Sequence, residues 1–141
     1  MTAKLATLAD HLAPKREEVR GWLPYHPAVA LALRRHMPTR TAQHAPMAAL
    51  FLAAVWKWSG RSTHAGDGFF TKTVNQWCDE LAVSRRTIDT IQQFLCVDQN
   101  GATYGTPNLG LVTFATLGNA NRGHYRASKD TAERWWLVNG S

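Results

Sequence analysis

The stretch that decides the fold is residues 71–95, TKTVNQWCDELAVSRRTIDTIQQFL. Its first half has apolar residues at the i, i+3, i+4, i+7 spacing of an amphipathic helix: Val74, Trp77, Cys78 and Leu81. Its second half has one apolar helix face, formed by Ile88, Ile91 and Leu95, and one polar face, formed by Arg85, Arg86, Asp89, Gln92 and Gln93. Residues 82–84 break the pattern between the two. The stretch therefore predicts a helix-turn-helix, whose second helix can enter a DNA major groove.

Helices are also predicted before this stretch. Residues 1–12 and 15–23 have weak helical patterns, and residues 26–36 place Val29, Leu33 and Met37 inward. Residues 46–59 give the strongest helical pattern and are apolar on both faces. Such a helix lies in the centre of a domain or at a subunit interface.

Strands are predicted on either side of the helix-turn-helix. Residues 69–71 form a short strand before it, and residues 97–110 are irregular. Residues 111–117 and 124–128 form a β-hairpin with a turn at 118–123, and residues 131–138 form a last helix. Helix, helix-turn-helix and hairpin is the order of a winged helix, with the hairpin as the wing.

The predicted fold class is mostly α-helical with a small β-hairpin (α+β), a winged helix-turn-helix with additional N-terminal helices. A length of 141 residues fits one domain. We divide it into an N-terminal helical extension (1–43), a winged-helix core (44–130) and a C-terminal segment (131–141).

Composition narrows the class of protein. No apolar run is long enough for a membrane span, and residues 1–12 do not have the pattern of a secretory signal, so a cytoplasmic location is expected. The two cysteines, Cys78 and Cys96, are expected to be structural. No metal-ligand spacing of His and no catalytic motif is found, so we expect neither an enzyme nor a cofactor.

The net charge of +6 favours a polyanionic partner. Residues 1–60 carry eight basic and three acidic residues, whereas residues 61–96 carry four of each. The excess therefore lies before the helix-turn-helix. It supplies phosphate contacts through Arg34, Arg35 and Arg40, or is a solvated face, or reaches DNA from a second subunit.

Five segments together resemble winged-helix proteins of plasmids, phages and other mobile elements. They are YHPAVA (25–30), AALFLAAVWKWS (48–59), DGFFTKT (67–73), WCDEL (77–81) and SRRTI (84–88), and the resemblance covers residues 25–126. Two features depart from the group's pattern: Phe69-Phe70 replaces the usual Trp-Phe, and residues 97–110 lack the usual Gly-Leu-Ile start of the wing strand. Members are generally described as DNA-binding replication or regulatory proteins.

The resemblance implies a DNA-binding surface centred on the second helix. Ser84 is the expected N-cap, Asp89 is expected to orient Arg85 as an i, i+4 pair, and the arginines are expected to bond guanine. Lys72 and Thr73 are expected to hold a phosphate at the start of the first helix, and Arg122 to act at the wing tip. The full predicted set is Lys72, Thr73, Ser84, Arg85, Arg86, Thr87, Asp89, Thr90, Gln92, Gln93, Asn119, Asn121, Arg122 and Arg126.

The resulting hypothesis is sequence-specific binding of double-stranded DNA by a transcription regulator or DNA replication protein of a plasmid or other mobile element. The alternative is a protein-interaction module of a mobile-element complex. The sequence also leaves open, apart from both functions, that Arg85 and Arg86 form only a solvated helix face. A homodimer is a subsidiary expectation, based on the apolar helix 46–58 and on Trp135 and Trp136.

Overall fold

The computed structural model describes residues 7–9, 25–58, 70–98, 108–115 and 123–139. These residues are mostly helical, with a small sheet, which confirms the α+β class. The helices are α1 (Pro27–Arg34), α2 (Ala45–Trp58), α3 (Val74–Leu81), α4 (Arg85–Leu95) and α5 (Lys129–Asn139), with a 3-10 helix at Ala42–His44. The strands are β1 (Phe70–Lys72), β2 (Cys96–Val97), β3 (Val112–Ala115) and β4 (Gly123–Ala127).

Helix α2 lies at the centre of the described structure. Every residue from 51 to 56 is buried, and because a helix turns once in 3.6 residues, this run covers all of its faces. Helix α1 packs against it, as do α3, α4 and β4. The expectation of a helix in the domain centre is therefore confirmed, and its apolar faces are covered by this chain itself.

The sheet has the strand order β1-β4-β3-β2. The predicted hairpin is present as the antiparallel pair β3 and β4, in which Phe114 lies opposite Tyr125. Strand β1 pairs antiparallel with β4, and β2 pairs parallel with β3. The sequence-based prediction missed β2, because it gave residues 97–110 as irregular, whereas Val97 belongs to this strand. Two residues are too few to show a strand periodicity.

Helices α3 and α4 confirm the predicted break at residues 82–84. A capping box opens α3: the Thr73 hydroxyl accepts from the Gln76 backbone N–H at 3.1 Å, and the Gln76 side chain accepts from the Thr73 N–H at 2.8 Å. Ala82 ends α3 in the left-handed conformation with φ 56°. Ser84 is the N-cap of α4, as predicted, and accepts from the Thr87 N–H at 3.2 Å.

Four aromatic side chains form a cluster in the core, which we call the aromatic cluster: Phe51, Trp77, Phe114 and Tyr125. The Tyr125 ring centroid lies 5.4 Å from that of Trp77 and 5.1 Å from that of Phe114. Phe51 lies 4.4 Å from Trp77. These contacts join α2, α3, β3 and β4, and burial of such rings is a large stabilising term.

Helix α5 contacts the N-terminal part of the described chain. It begins at Lys129, two residues before the predicted start, and its Glu133 carboxylate accepts from the Leu8 backbone N–H at 2.6 Å. Trp136 is buried and Trp135 is partly buried, so both belong to this chain's own core. Among the described residues, no helix is long and apolar enough to cross a membrane.

We expect Ala82→Gly to raise the free energy of unfolding by about 1 kcal/mol, because glycine adopts a positive φ without the steric cost that a Cβ brings. Chemical denaturation of both proteins measures the difference. Gly110→Ala is the matched reverse change, since Gly110 has φ +65° and a Cβ there would lie 3.4 Å from Val97 Cγ1. A loss of stability in Ala82→Gly would contradict the expectation.

Candidate nucleic-acid interface

Helix α4 separates an apolar inner face from a polar outer face. Ile88, Ile91 and Leu95 are fully buried, as predicted, and Phe94 is buried beside them. The exposed predicted residues of the α4 region are Ser84, Arg85, Arg86, Asp89 and Gln93, whereas Thr87, Thr90 and Gln92 are half-buried. The two arginines stand in the first turn of the helix, the part of a recognition helix that reaches base edges.

Local hydrogen bonds occupy part of this surface. The Thr90 hydroxyl donates to the Arg86 carbonyl at 3.0 Å, and the Ser84 and Thr87 hydroxyls share a hydrogen bond at 3.1 Å. Among the ion pairs of the described residues, none joins Arg85 to Asp89. The expected i, i+4 pair is therefore wrong, and the Arg85 guanidinium is not held by that carboxylate.

Gln92, which the sequence analysis placed on the DNA-binding face of α4, also contacts the core. Its side-chain amide donates to the Tyr125 hydroxyl at 2.7 Å. Tyr125 is 1% exposed, and burial raises the pKa of its hydroxyl well above the ordinary value, so the hydroxyl stays neutral. Gln92 is thus anchored, and Gln93 is the exposed amide of the pair.

Asn108 positions the C-terminal end of α4, a role that the sequence analysis missed. Its side-chain amide donates to the backbone carbonyls of Gln93 at 2.6 Å and Cys96 at 2.8 Å. Its side-chain oxygen accepts from the Gly110 N–H at 2.8 Å. The signal was an Asn two residues before a Gly, the spacing of an Asx turn, within a segment assigned only as irregular.

Lys72 is engaged inside the protein. Its ammonium forms an ion pair with Glu80 and lies 4.5 Å from the centroid of the Trp77 ring. Burial, followed by the nearby Lys57 ammonium, lowers the pKa of Lys72 to about 8. The Glu80 carboxylate favours the charged form and opposes this shift. A phosphate at Lys72 would have to displace Glu80, so the structure does not present Lys72 as the free cation expected from sequence. Thr73, expected beside it, serves as the α3 cap.

A shallow cavity of about 210 Å³ lies between α4 and β3. It is lined by Asp89, Gln92, Gln93, Cys96 and Phe114. Cys96 is 1% exposed, and burial raises the pKa of its thiol well above the ordinary range, which disfavours the reactive thiolate. In the described part of the chain, no group of His, Cys, Asp and Glu residues could hold a metal ion.

The remaining predicted residues belong to the part of the chain that was predicted to be a wing. Asn119, Asn121 and Arg122 lie outside the described residues. Arg126 is half-buried in β4, opposite Thr113 of β3. The structure therefore brings the α4 residues together on one surface and leaves the wing tip as a prediction.

Comparison with known proteins adds no relative. No model of a protein family matches the chain, and no curated protein and no solved structure matches it significantly. The resemblance to plasmid and phage proteins stays a prediction that rests on the quoted segments.

We expect Asn108→Ala to lower the free energy of unfolding by about 2 kcal/mol, because it removes hydrogen bonds to two carbonyls and one N–H. Asn108→Asp is expected to cost more, since a carboxylate would face both carbonyls. Thermal and chemical denaturation measure both changes. Asn75→Ala on the exposed face of α3 is the control, and an equal loss there would contradict the role of Asn108.

The lowered pKa of Lys72 leads us to expect that the stability of the protein depends on pH. Its pKa of about 8 in the folded protein lies below the ordinary 10.5. Between these values the unfolded chain holds the proton more strongly, so the contribution of Lys72 to stability rises with pH. Denaturation of the wild type and Lys72→Met across this range should show the wild type gaining relative to the variant. Parallel curves of unfolding free energy against pH for the two proteins would contradict the lowered pKa of Lys72. Lys57→Met removes one cause of the lowered pKa and should narrow the pH range in which the two curves diverge.

Proposed function

We propose that this chain is a winged helix-turn-helix protein that binds double-stranded DNA in a sequence-specific manner. The element order supports the proposal: α2, then α3 and α4 as the helix-turn-helix, then the β3–β4 hairpin as the wing. Strand β1 joins the hairpin on the β4 side, which ties the segment before α3 to the wing. Helix α4 is the recognition helix of this proposal.

One observation carries the proposal, the exposed first turn of α4 with Arg85 and Arg86. An arginine can donate two hydrogen bonds to the O6 and N7 atoms of guanine, and glutamine can pair similarly with adenine. Gln93 is exposed for such a contact, whereas Gln92 is held by Tyr125. Asp89, exposed one turn after Arg85, is suited to accept from the cytosine amino group.

Affinity for DNA requires more positive charge than α3 and α4 supply. Residues 61–96 carry four basic and four acidic residues, and Lys72 is already paired with Glu80. Phosphate contacts supply most of the affinity for DNA and make it dependent on salt. In this proposal they come from Arg122 and Arg126 of the wing, or from a second subunit.

The biological role proposed here is that of a transcription regulator or replication protein of a plasmid or other mobile element. This part of the proposal rests on the sequence resemblance alone.

A homodimer is also part of the proposal, and it rests on exposed apolar residues of α5 rather than on α2 or Trp136. Helix α2 and Trp136 are buried within the chain, and the exposed apolar residues near the end of α5 are Leu137 and Val138, at 73% and 79%.

DNA binding can be tested by fluorescence polarisation with duplexes selected from a random library by the wild-type protein. We expect Arg85→Ala and Arg86→Ala each to cost about 1–3 kcal/mol of binding free energy and to relax the selected sequence at one position. Arg134→Ala, an exposed arginine on α5, is the matched control and should leave affinity unchanged.

Two results would reject this function. The first is a wild-type protein that selects no sequence and shows no salt-dependent binding. The second is an equal effect of Arg134→Ala and Arg85→Ala, which would indicate a loss of net charge rather than base contacts. Circular dichroism of each variant confirms that the fold is retained.

The alternative function is a protein-interaction module that uses the same α4 surface. The balanced charge of residues 61–96 favours it. Interfaces are rich in aromatic residues and arginine, and a fold alone does not determine function. A partner that binds the wild type but not Arg85→Ala, in the absence of DNA binding, would support this alternative.

A further inference from the structure

A second surface lies in the most basic part of the chain. Residues 19–66 contain no Asp or Glu, although six Lys or Arg lie among them. Within the described part of this segment, Arg34, Arg35 and Arg40 are all exposed.

An apolar groove of about 470 Å³ opens beside the first of these arginines, Arg34. It lies between α1, the 3-10 helix and the start of α2, and Tyr25, Leu31, Arg34, Ala42 and Pro46 are among its lining residues. Tyr25 is 45% exposed and Leu31 is 49% exposed. A large exposed aromatic and a large exposed aliphatic side chain in one concave site are typical of a binding surface.

The groove is separate from the α4 surface. Helix α1 packs mainly against α2 and the 3-10 helix, whereas α3, α4 and β4 pack against α2. Because α2 is buried on every side, these neighbours must surround it rather than share one face. A partner in the groove can therefore be bound without occupying the outer face of α4.

We propose that this groove binds an acidic peptide segment of a partner protein, one that carries apolar anchor side chains among Asp and Glu residues. The anchors pack against Tyr25 and Leu31, and the carboxylates pair with the guanidinium of Arg34 and with Arg35 or Arg40. Arginine matches a carboxylate through two parallel hydrogen bonds. The absence of any acidic residue from the segment gives the charge complementarity that selects such a partner.

Other occupants fit less well. A nucleic acid would place phosphates over apolar side chains, which offer no hydrogen bonds to replace those of water. A second copy would have to insert Trp58 of α2 or Leu137 and Val138 of α5, the large exposed apolar side chains outside the groove among the described residues. The Lys57 ammonium lies 5.4 Å from the centroid of the Trp58 ring, so Trp58 would bring positive charge towards the groove arginine. Helix α5 carries two basic and two acidic residues and so has no net charge to match the groove.

The test uses the full chain and a fluorescein-labelled synthetic peptide of about 15 residues, Asp and Glu with Leu at every fourth position, the spacing of helical anchors. A peptide with Ser in place of Leu keeps the charge and removes the anchors. We expect saturable binding of the Leu peptide, weakened about tenfold or more by Leu31→Asp or Arg34→Glu. Leu137→Asp and Arg134→Glu make the same chemical changes elsewhere and should leave binding intact.

Four outcomes would overturn the proposal. The first is no binding of the Leu peptide to the full chain, and the second is equal binding of the Leu and Ser peptides. The third is displacement of the labelled peptide by a single-stranded oligonucleotide at a lower concentration than the unlabelled peptide needs. The fourth is self-association, measured by light scattering, that Leu31→Asp abolishes. The double variant Arg85→Ala, Arg86→Ala should bind the peptide normally, which separates this result from any failure of DNA binding.

Discussion

The position of α4 depends on one buried tyrosine. Tyr125 of β4 contacts Phe51 of α2, Trp77 of α3 and Phe114 of β3, and its hydroxyl accepts the hydrogen bond from Gln92 of α4. Hydrogen bonds of buried polar groups are costly to lose, so the bond between Gln92 and the tyrosine hydroxyl fixes the two side chains relative to each other. Five elements are thereby held in one arrangement, and the outer face of α4 inherits its orientation from them.

The local features of the fold could be predicted from sequence because neighbouring residues encode them. The break at residues 82–84, the Ser84 cap and the inner faces of α3 and α4 all follow from spacings of a few residues. The contacts that orient α4 could not be predicted in this way. Gln92 meets Tyr125 across 33 residues, and Asn108 reaches Gln93 across 15, so their partners are set by tertiary packing. The environment of Lys72 could not be predicted either, since its ion pair with Glu80 spans the length of α3, and its phosphate contact stays a prediction.

Charge is distributed between two separate surfaces of the protein. The outer face of α4 mixes Arg85 and Arg86 with Asp89, a combination that favours selectivity over attraction. Residues 25–58, which include α1 and the 3-10 helix, carry four basic residues and no acidic one, and the groove beside Arg34 is apolar. In the proposals made here, the first surface reads a duplex and the second binds an acidic protein segment. The buried helix α2 lies between them and gives both a rigid support.

The separation of α4 into a buried face and an exposed face affects how the sequence of this protein can change in evolution. Substitutions at the outer positions 85, 86, 89 and 93 change a solvent-exposed surface while Ile88, Ile91 and Leu95 keep the helix in place. In the proposed function, the binding preference can therefore change over generations at little cost in folding stability. Gln92 is the exception, because it belongs to both faces. A lineage that replaces Gln92 removes a hydrogen bond from the buried Tyr125 hydroxyl, so this position cannot change independently of the core.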